Sequence, residues 1–231
     1  MILNRFIPIS LLASLALASP ILKNRDDDNN DNNGTGKALN ATEIILAVAP
    51  KSASCDGVTT FADECATVDR IAAYLPAAFW KYNVSTTGEM AAVLSLMAFE
   101  TGEFRYNRNH YPGRPGQGTR NLQMPNYNLM YALSIPELKD KAAEIAGGVA
   151  DGADLTDDKK NQILDLVIPD DYTWGSAGWF LDTQCDKSVK EELETGTVRG
   201  FTLYMECIGT SGTEDRVAYW TKAKAAFGMS S

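Results

Sequence analysis

Beyond residue 60 apolar residues return every three or four positions, the period of one helix face, while the alternation expected of strands is sparse. In FADECATVDRIAAYLPAAFWKYN, residues Val68, Ile71, Ala72, Leu75, Phe79 and Trp80 share such a face, and Pro76 predicts a bend or interruption. STTGEMAAVLSLMAFE opens on Thr86 with Glu89 three residues later, the pattern of a capping box. It continues as Met90, Val93, Leu94, Met97 and Ala98, apolar on most faces, which predicts a central, buried helix stopped at Gly102. Ser134 with Glu137 predicts a second capping box, with Pro136 in the first turn of a helix that closes at Gly147 and Gly148. Thr156 caps a helix to about Val167, and further helices run from about Ser176 to Gln184, Asp186 to Thr195, Val198 to Ile208 and Thr213 to Phe227. Glu103 to Asn128 breaks the pattern: Pro112, Pro115 and Pro125 alternate with Gly113, Gly116 and Gly118, which excludes regular helix. Long irregular stretches inside compact domains are more often functional than idle.

The N-terminus is of another kind. MILNRFIPISLLASLALA, residues 1–18, carries Arg5, an apolar core from Ile7 to Leu17 and small residues at Ala16 and Ala18, the pattern of a secretory signal peptide. Residues 19–44 are rich in Asp, Asn and Gly, offer nothing to bury, and read as a disordered pro-segment or linker, with Arg25 a candidate cleavage point. The remainder, 45–231, is expected to be one mainly α domain, without internal repeats. No later apolar run approaches the length of a membrane span, so a secreted, extracellular, monomeric protein without membrane contact is expected. Sequons at Asn33, Asn40 and Asn83 fit that route as glycosylation sites.

The four cysteines, an even number in a secreted chain, argue for two disulfides. Three pairings are open; Cys55–Cys65 and Cys185–Cys207, each joining neighbours in sequence, are favoured. No cysteine pair has the spacing of a structural zinc site, and His110 is the single histidine, so no metal is expected. The net charge of −9 argues against nucleic acid as a partner. Yet Phe104 to Pro136 contains no Asp or Glu while holding Arg105, Arg108, Arg114 and Arg120. A cationic loop in an acidic protein is either a solvated surface or a seat for an anionic ligand.

That loop follows Glu100, which ends the most apolar helix. The last turn of a helix exposes unpaired carbonyls, and the apolar Met97, Phe99 and Phe104 stand beside the carboxylate in sequence. Both effects disfavour its charged form, the property wanted in a general acid. Glu100-Thr101-Gly102-x-Phe104, followed by Asn121-Leu122-Gln123-Met124-Pro125, resembles the two motifs of the lysozyme superfamily, goose-type lysozymes and soluble lytic transglycosylases in particular. FETGEFRYNRNHYPGRPGQGTRNLQMPNYN together with WFLDTQC is similar to secreted fungal muramidases. The pattern departs from the family in the threonine at 101 and in a Gln-x-Met-Pro element shortened by one residue.

The resemblance implies a goose-type, lysozyme-like single domain, with the long irregular loop or a small hairpin region forming one wall of a cleft. It implies a muramidase cutting the β-1,4 bond between N-acetylmuramic acid and N-acetylglucosamine in bacterial peptidoglycan, without a cofactor. Glu100 would be the acid. Asn121 and Gln123 would bind N-acetyl groups, Tyr106, Tyr127 and Tyr131 would meet sugar rings, and Arg105 and Arg108 would pair with peptidoglycan carboxylates. The second carboxylate is open among Glu103, Asp182 and Glu206. A lytic transglycosylase, a chitinase of the same superfamily and a non-catalytic secreted carbohydrate-binding or effector protein are the alternatives. A Ser or Cys triad is disfavoured, since His110 lies in a loop without a nucleophile elbow.

Overall fold

The helix predicted after Thr86 is the axis of the fold. The structure, a computed structural model, describes residues 40–229. The signal-peptide stretch, the linker up to residue 39 and the Asn33 sequon lie outside the described residues. The axial helix, α3, spans Thr87–Glu100, and every residue from Ala91 to Ala98 is buried. Uniformly apolar sequence buries all round. Its start is the expected capping box: Thr86 Oγ1 accepts from Glu89 N at 3.2 Å, and Glu89 Oε2 accepts from Thr86 N at 3.1 Å and Ser85 N at 2.8 Å. Thr86→Ala is expected to cost about 1 kcal/mol, read by urea denaturation; a cost below about 0.3 kcal/mol would show that the cap contributes nothing.

Around α3 stand α1 (Ala41–Val48), α2 (Val68–Lys81), α8 (Ser176–Gln184), α9 (Lys187–Glu194), α10 (Val198–Cys207) and α11 (Glu214–Ala226). Their apolar faces form one core, to which Ile71, Leu94, Met97, Phe104, Tyr204 and Trp220 contribute. A second core lies between α4 (Pro125–Ser134), α5 (Pro136–Ala146) and α6 (Asp157–Val167), and includes Leu129, Ile135, Leu164 and, from α8, Trp179 and Phe180. The short α7 (Asp170–Thr173) precedes α8. Cys55 is joined to Cys65 and Cys185 to Cys207. The second bridge touches both cores, as does Ile208. Among the described residues there is no strand; Arg108 with Gly118 and Gly118 with Gln123 form isolated antiparallel bridges.

Several boundaries differ from the expected ones. α1 begins at Ala41, inside the stretch read as linker, where the Asn40 side chain caps it by accepting from Thr42 N and Glu43 N. Pro76 stays within a continuous α2. Pro125, read as a breaker, is the first residue of α4, a position that lacks the need for an N–H. Ser134 does not cap α5: it is the last residue of α4, its hydroxyl donates to Tyr131 O, and Pro136 places Ile135 at the N-cap.

Candidate ligand-binding cleft

Glu100 is held at the end of α3 by a left-handed corner. Thr101 Oγ1 donates to Met97 O at 2.6 Å and accepts from Phe104 N at 2.9 Å, closing the helix with a side chain. Gly102, Glu103 and Phe104 then follow one another at φ 60°, 63° and 67°. Two of these are not glycine, and each costs about 1–2 kcal/mol in that region. Tertiary partners hold them there. Phe104 is fully buried against Trp174, and its carbonyl accepts from Ala66 N and from Arg120 Nη1. The Glu103 carboxylate accepts from Lys51 N at 2.7 Å and Tyr219 Oη at 2.8 Å. Burial first, then Glu103, pushes the Tyr219 hydroxyl up to about 12.

The corner turns the chain into the irregular loop, and the loop closes a cleft over Glu100. The cleft has a volume of about 310 Å³ and lies where the two cores meet. Glu100, Arg114, Gln117, Asn121 and Gln123 give it polar lining, with Arg216 reaching in from α11. Leu96, Leu122, Met124, Tyr127, Phe180 and Ile208 give it apolar lining. Tyr127 packs edge-on against Phe180, the centroids 4.6 Å apart.

Glu100 is paired. Arg216 Nη2 donates to its Oε1 at 2.8 Å, and the guanidinium lies 4.5 Å from the Phe99 ring centroid. The fold sets an opposite charge against this helix-end carboxylate, supplied from 116 residues away. The hydroxyl of Tyr204, fully buried, is pushed up by its burial first and by the charge of Glu100 second.

Of the residues singled out in the sequence, the cleft brings together Glu100, Asn121, Gln123 and Tyr127. The others lie elsewhere. Glu103 is 4% exposed and ties the corner to Lys51 and Tyr219. Asp182 sits in a separate depression, bonded to Lys190 Nζ and Asn83 Nδ2. Glu206 is exposed on α10 outside the cleft lining. Tyr131 is buried, its hydroxyl donating to Tyr172 O, and burial pushes that hydroxyl up. Tyr106 stands edge-on to His110, away from the lining. His110 Nε2 lies 2.8 Å from Glu64 Oε1, and its ring stacks on Phe61 at 3.3 Å.

The four arginines also divide. Arg108 pairs with Asp165. Arg120 is fully buried, donating to the carbonyls of Phe104, Tyr106 and Glu64. Arg105 is half-buried at the corner, its N–H bonded to Thr101 O. Arg114 alone of the four lines the cleft, and its neighbour there is the Met124 sulfur at 3.9 Å rather than a carboxylate. Sequence reading missed Arg216, Phe180 and Ile208 as members of the site. Nothing local marks them, because they reach it from α11, α8 and the end of α10.

No protein-family model matches the chain, and no solved structure matches it. A protein of Fusarium oxysporum (strain Fo5176), named bifunctional dioxygenase (DOX)-epoxy alcohol synthase (EAS), is 47% identical over 159 residues. The match covers 68% of this chain and 12% of that protein, so the chain spans about one-eighth of the relative's length.

This similarity overturns the functional reading of the sequence. A match over 159 residues outweighs two short motifs, and it joins the chain to a protein named for oxygenase chemistry rather than to lysozymes. Membership of the lysozyme superfamily, muramidase or any other glycosidase activity and peptidoglycan as partner fall with it. So do the transglycosylase, chitinase and carbohydrate-binding or effector alternatives. The motif residues have a physical role without glycan chemistry: Thr101 and Gly102 end a helix, and Gln123 and Asn128 knit the loop together.

Proposed function

We propose that the chain is a ligand-binding module of an oxygenase system, and that its cleft holds the polar end of an amphipathic chain molecule. The observation that carries this is the two-sided lining of the cleft at the end of α3. Among the described residues Arg114 faces it without a carboxylate partner, while Leu96, Leu122, Met124, Phe180 and Ile208 present hydrocarbon. An anionic or oxygenated head beside Arg114 and a hydrocarbon body along those side chains matches both sides. At about 310 Å³ the cleft suits the head end of a longer chain. The relative's name points to the same substances. Adding dioxygen to an unsaturated chain gives a hydroperoxide, and an epoxy alcohol is its isomer.

Oxygen chemistry itself is not placed on the described residues. It draws on haem, flavin, copper or non-haem iron. No group of three His, Cys, Asp or Glu among the described residues could hold a metal ion. The single imidazole is committed to Glu64 and Phe61, and all four cysteines are in disulfides. These residues do not fit a metal or haem centre, and no oxygenation step is assigned to them. The two disulfides support an oxidising compartment, consistent with a secreted location.

The test is a calorimetric titration of the full chain with a long-chain diunsaturated carboxylate below its micelle threshold. Binding on the order of 1–100 μM is expected. Arg114→Ala should weaken it about tenfold, as loss of one charge-assisted contact does. Absence of binding at millimolar ligand, or an Arg114→Ala protein that binds as the wild type does, would refute the proposal.

A further inference from the structure

Among the residues lining the cleft, Met124 alone carries sulfur, and that sulfur stands against the arginine. Arg114 Nη1 lies 3.9 Å from Met124 Sδ. Met124 is 39% exposed, and Arg114 is exposed as well. A thioether is a weak hydrogen-bond acceptor, so this contact leaves the guanidinium free to take a stronger one. The same sulfur is soft and polarisable, and peroxides convert it to a sulfoxide.

The backbone holds the two side chains in place. Met124 immediately precedes α4, and its carbonyl accepts from Asn128 N at 3.0 Å. Arg114 O accepts from Gln117 N at 3.2 Å, and Arg114 N donates to Asn109 Oδ1 at 3.4 Å. The chain also carries its own comparison. Met130, within α4, is 42% exposed and does not line the cleft. Met97 and Met205 are buried, while Met90 and Met229 are half-buried. Met124 and Met130 are therefore alike in exposure, and differ in that Met124 lines the cleft beside Arg114.

We propose that Met124 is a modification site, oxidised to its sulfoxide by a long-chain hydroperoxide whose O–O head is seated against Arg114. The inference rests on the amphiphile reading of the cleft and names one head group and one reaction for it. Leu96, Leu122, Phe180 and Ile208 hold the alkyl body. The sulfur lone pair attacks the outer oxygen of the peroxide, and the S–O bond forms as the O–O bond breaks. The proton on the outer oxygen passes to the inner one, which leaves as an alcohol. Sulfur gives up an electron pair and the peroxide takes it up, so no further oxidant or reductant is needed. Arg114 donates to the departing oxygen, where negative charge develops. The oxygen gained is bonded to a sulfur already 3.9 Å from Nη1, and it gives the guanidinium a stronger acceptor than the thioether was.

The experiment varies the oxidant first, so that no variant has to fold. Wild-type chain is incubated with a primary long-chain alkyl hydroperoxide below its micelle threshold, and separately with tert-butyl hydroperoxide, which has the O–O group without the long chain. Peptide mass spectrometry reads the oxygen gained at Met124 and at Met130. The ratio of Met124 to Met130 oxidation is expected to be about tenfold higher with the long-chain reagent, because the cleft holds the reacting groups together. An excess of the long-chain diunsaturated carboxylate should slow the reaction at Met124 and leave Met130 unaffected. In Arg114→Ala the ratio should fall to that given by tert-butyl hydroperoxide. Equal ratios for the two reagents in wild type, a reaction at Met124 that the carboxylate does not slow, or a raised ratio that survives in Arg114→Ala overturns the inference. The amphiphile reading stands in each of these cases if calorimetry still shows the carboxylate binding. If calorimetry shows no binding and the ratios are equal, that reading fails and the inference fails with it.

Discussion

Replacing Arg120 with alanine is expected to destabilise the chain by about 3–5 kcal/mol, a large part of the stability of an ordinary domain. The guanidinium is fully buried. It donates to Phe104 O and Tyr106 O at 3.1 Å and to Glu64 O at 2.8 Å, and lies 4.8 Å from the Trp174 ring centroid. Burial, followed by the positive charge of Arg70, pushes its ionisation down to about 10, so it remains a cation at neutral pH. Removing it relieves a buried charge, which offsets part of the loss. The stranded carbonyls outweigh that relief: Phe104 O keeps the Ala66 N–H, but those of Tyr106 and Glu64 lose the guanidinium donor, at about 1–3 kcal/mol for each that is left unpaired. A cavity beside Trp174 adds to the cost. Arg120→Met restores much of the volume without the donors, and should recover less than half of the loss. Thermal denaturation followed by circular dichroism reads both variants. A fall of roughly 6–20 °C is expected for Arg120→Ala, and a fall under about 3 °C would show that the loop does not hang on this side chain.

Arg120 also shows where sequence reading stops. The run without acids from Phe104 to Pro136 is legible as unusual, but a set of arginines facing an anionic polymer is not the reason the fold supplies for it. Composition reports that four cations are near one another in the chain; it does not report which are consumed by carbonyls, which by Asp165, and which lines the cleft. The same limit applies to Glu100. Its place at the end of a buried helix follows from the period of the apolar residues and from Gly102. Its partner does not, because Arg216 lies on another helix with no local signal to connect them.

Helices are legible where local rules and tertiary packing agree. α8 spans Ser176–Gln184, as its aromatic run and flanks predict, and the Thr86–Glu89 box starts α3. The expectations that differ are those resting on one residue with two meanings. Pro125 is a breaker when it interrupts a helix and a starter at the first position, and only the chain before it decides. Ser134 fits an N-cap by spacing, yet its hydroxyl turns back to Tyr131 O because α4 has not ended before it. In the cleft, Asn121, Gln123 and Tyr127 follow one another closely enough for a motif to find them. The apolar side, from α3, α8 and the end of α10, is assembled by the fold alone.

Gly88→Ala should lower stability by about 3 kcal/mol, against the sign that helix propensity gives. Gly88 sits in the first turn of α3, where alanine would by itself favour the helix by about 1 kcal/mol. A Cβ there would stand 2.0 Å from Leu193 O and 2.8 Å from Leu193 C, both backbone atoms of α9. Gly200 on α10 meets the same helix from another side, its added Cβ 2.3 Å from Glu192 O. The last turn of α9 is thus seated between two glycines and cannot retreat from one without pressing on the other. Nor is α9 free to leave, since its Lys190 bonds Asp182 Oδ1 at 2.9 Å and reaches Glu89 Oε1 at 3.6 Å. Gly178→Ala is the control: its added Cβ would meet the side chains of Val84 at 3.2 Å and Tyr82 at 3.3 Å, which can shift where backbone cannot. Melting temperature should fall by roughly 6–12 °C for Gly88→Ala and by clearly less for Gly178→Ala. A Gly88→Ala protein that melts at or above the wild-type temperature would mean that α9 does not rest on α3 as closely as its carbonyls require.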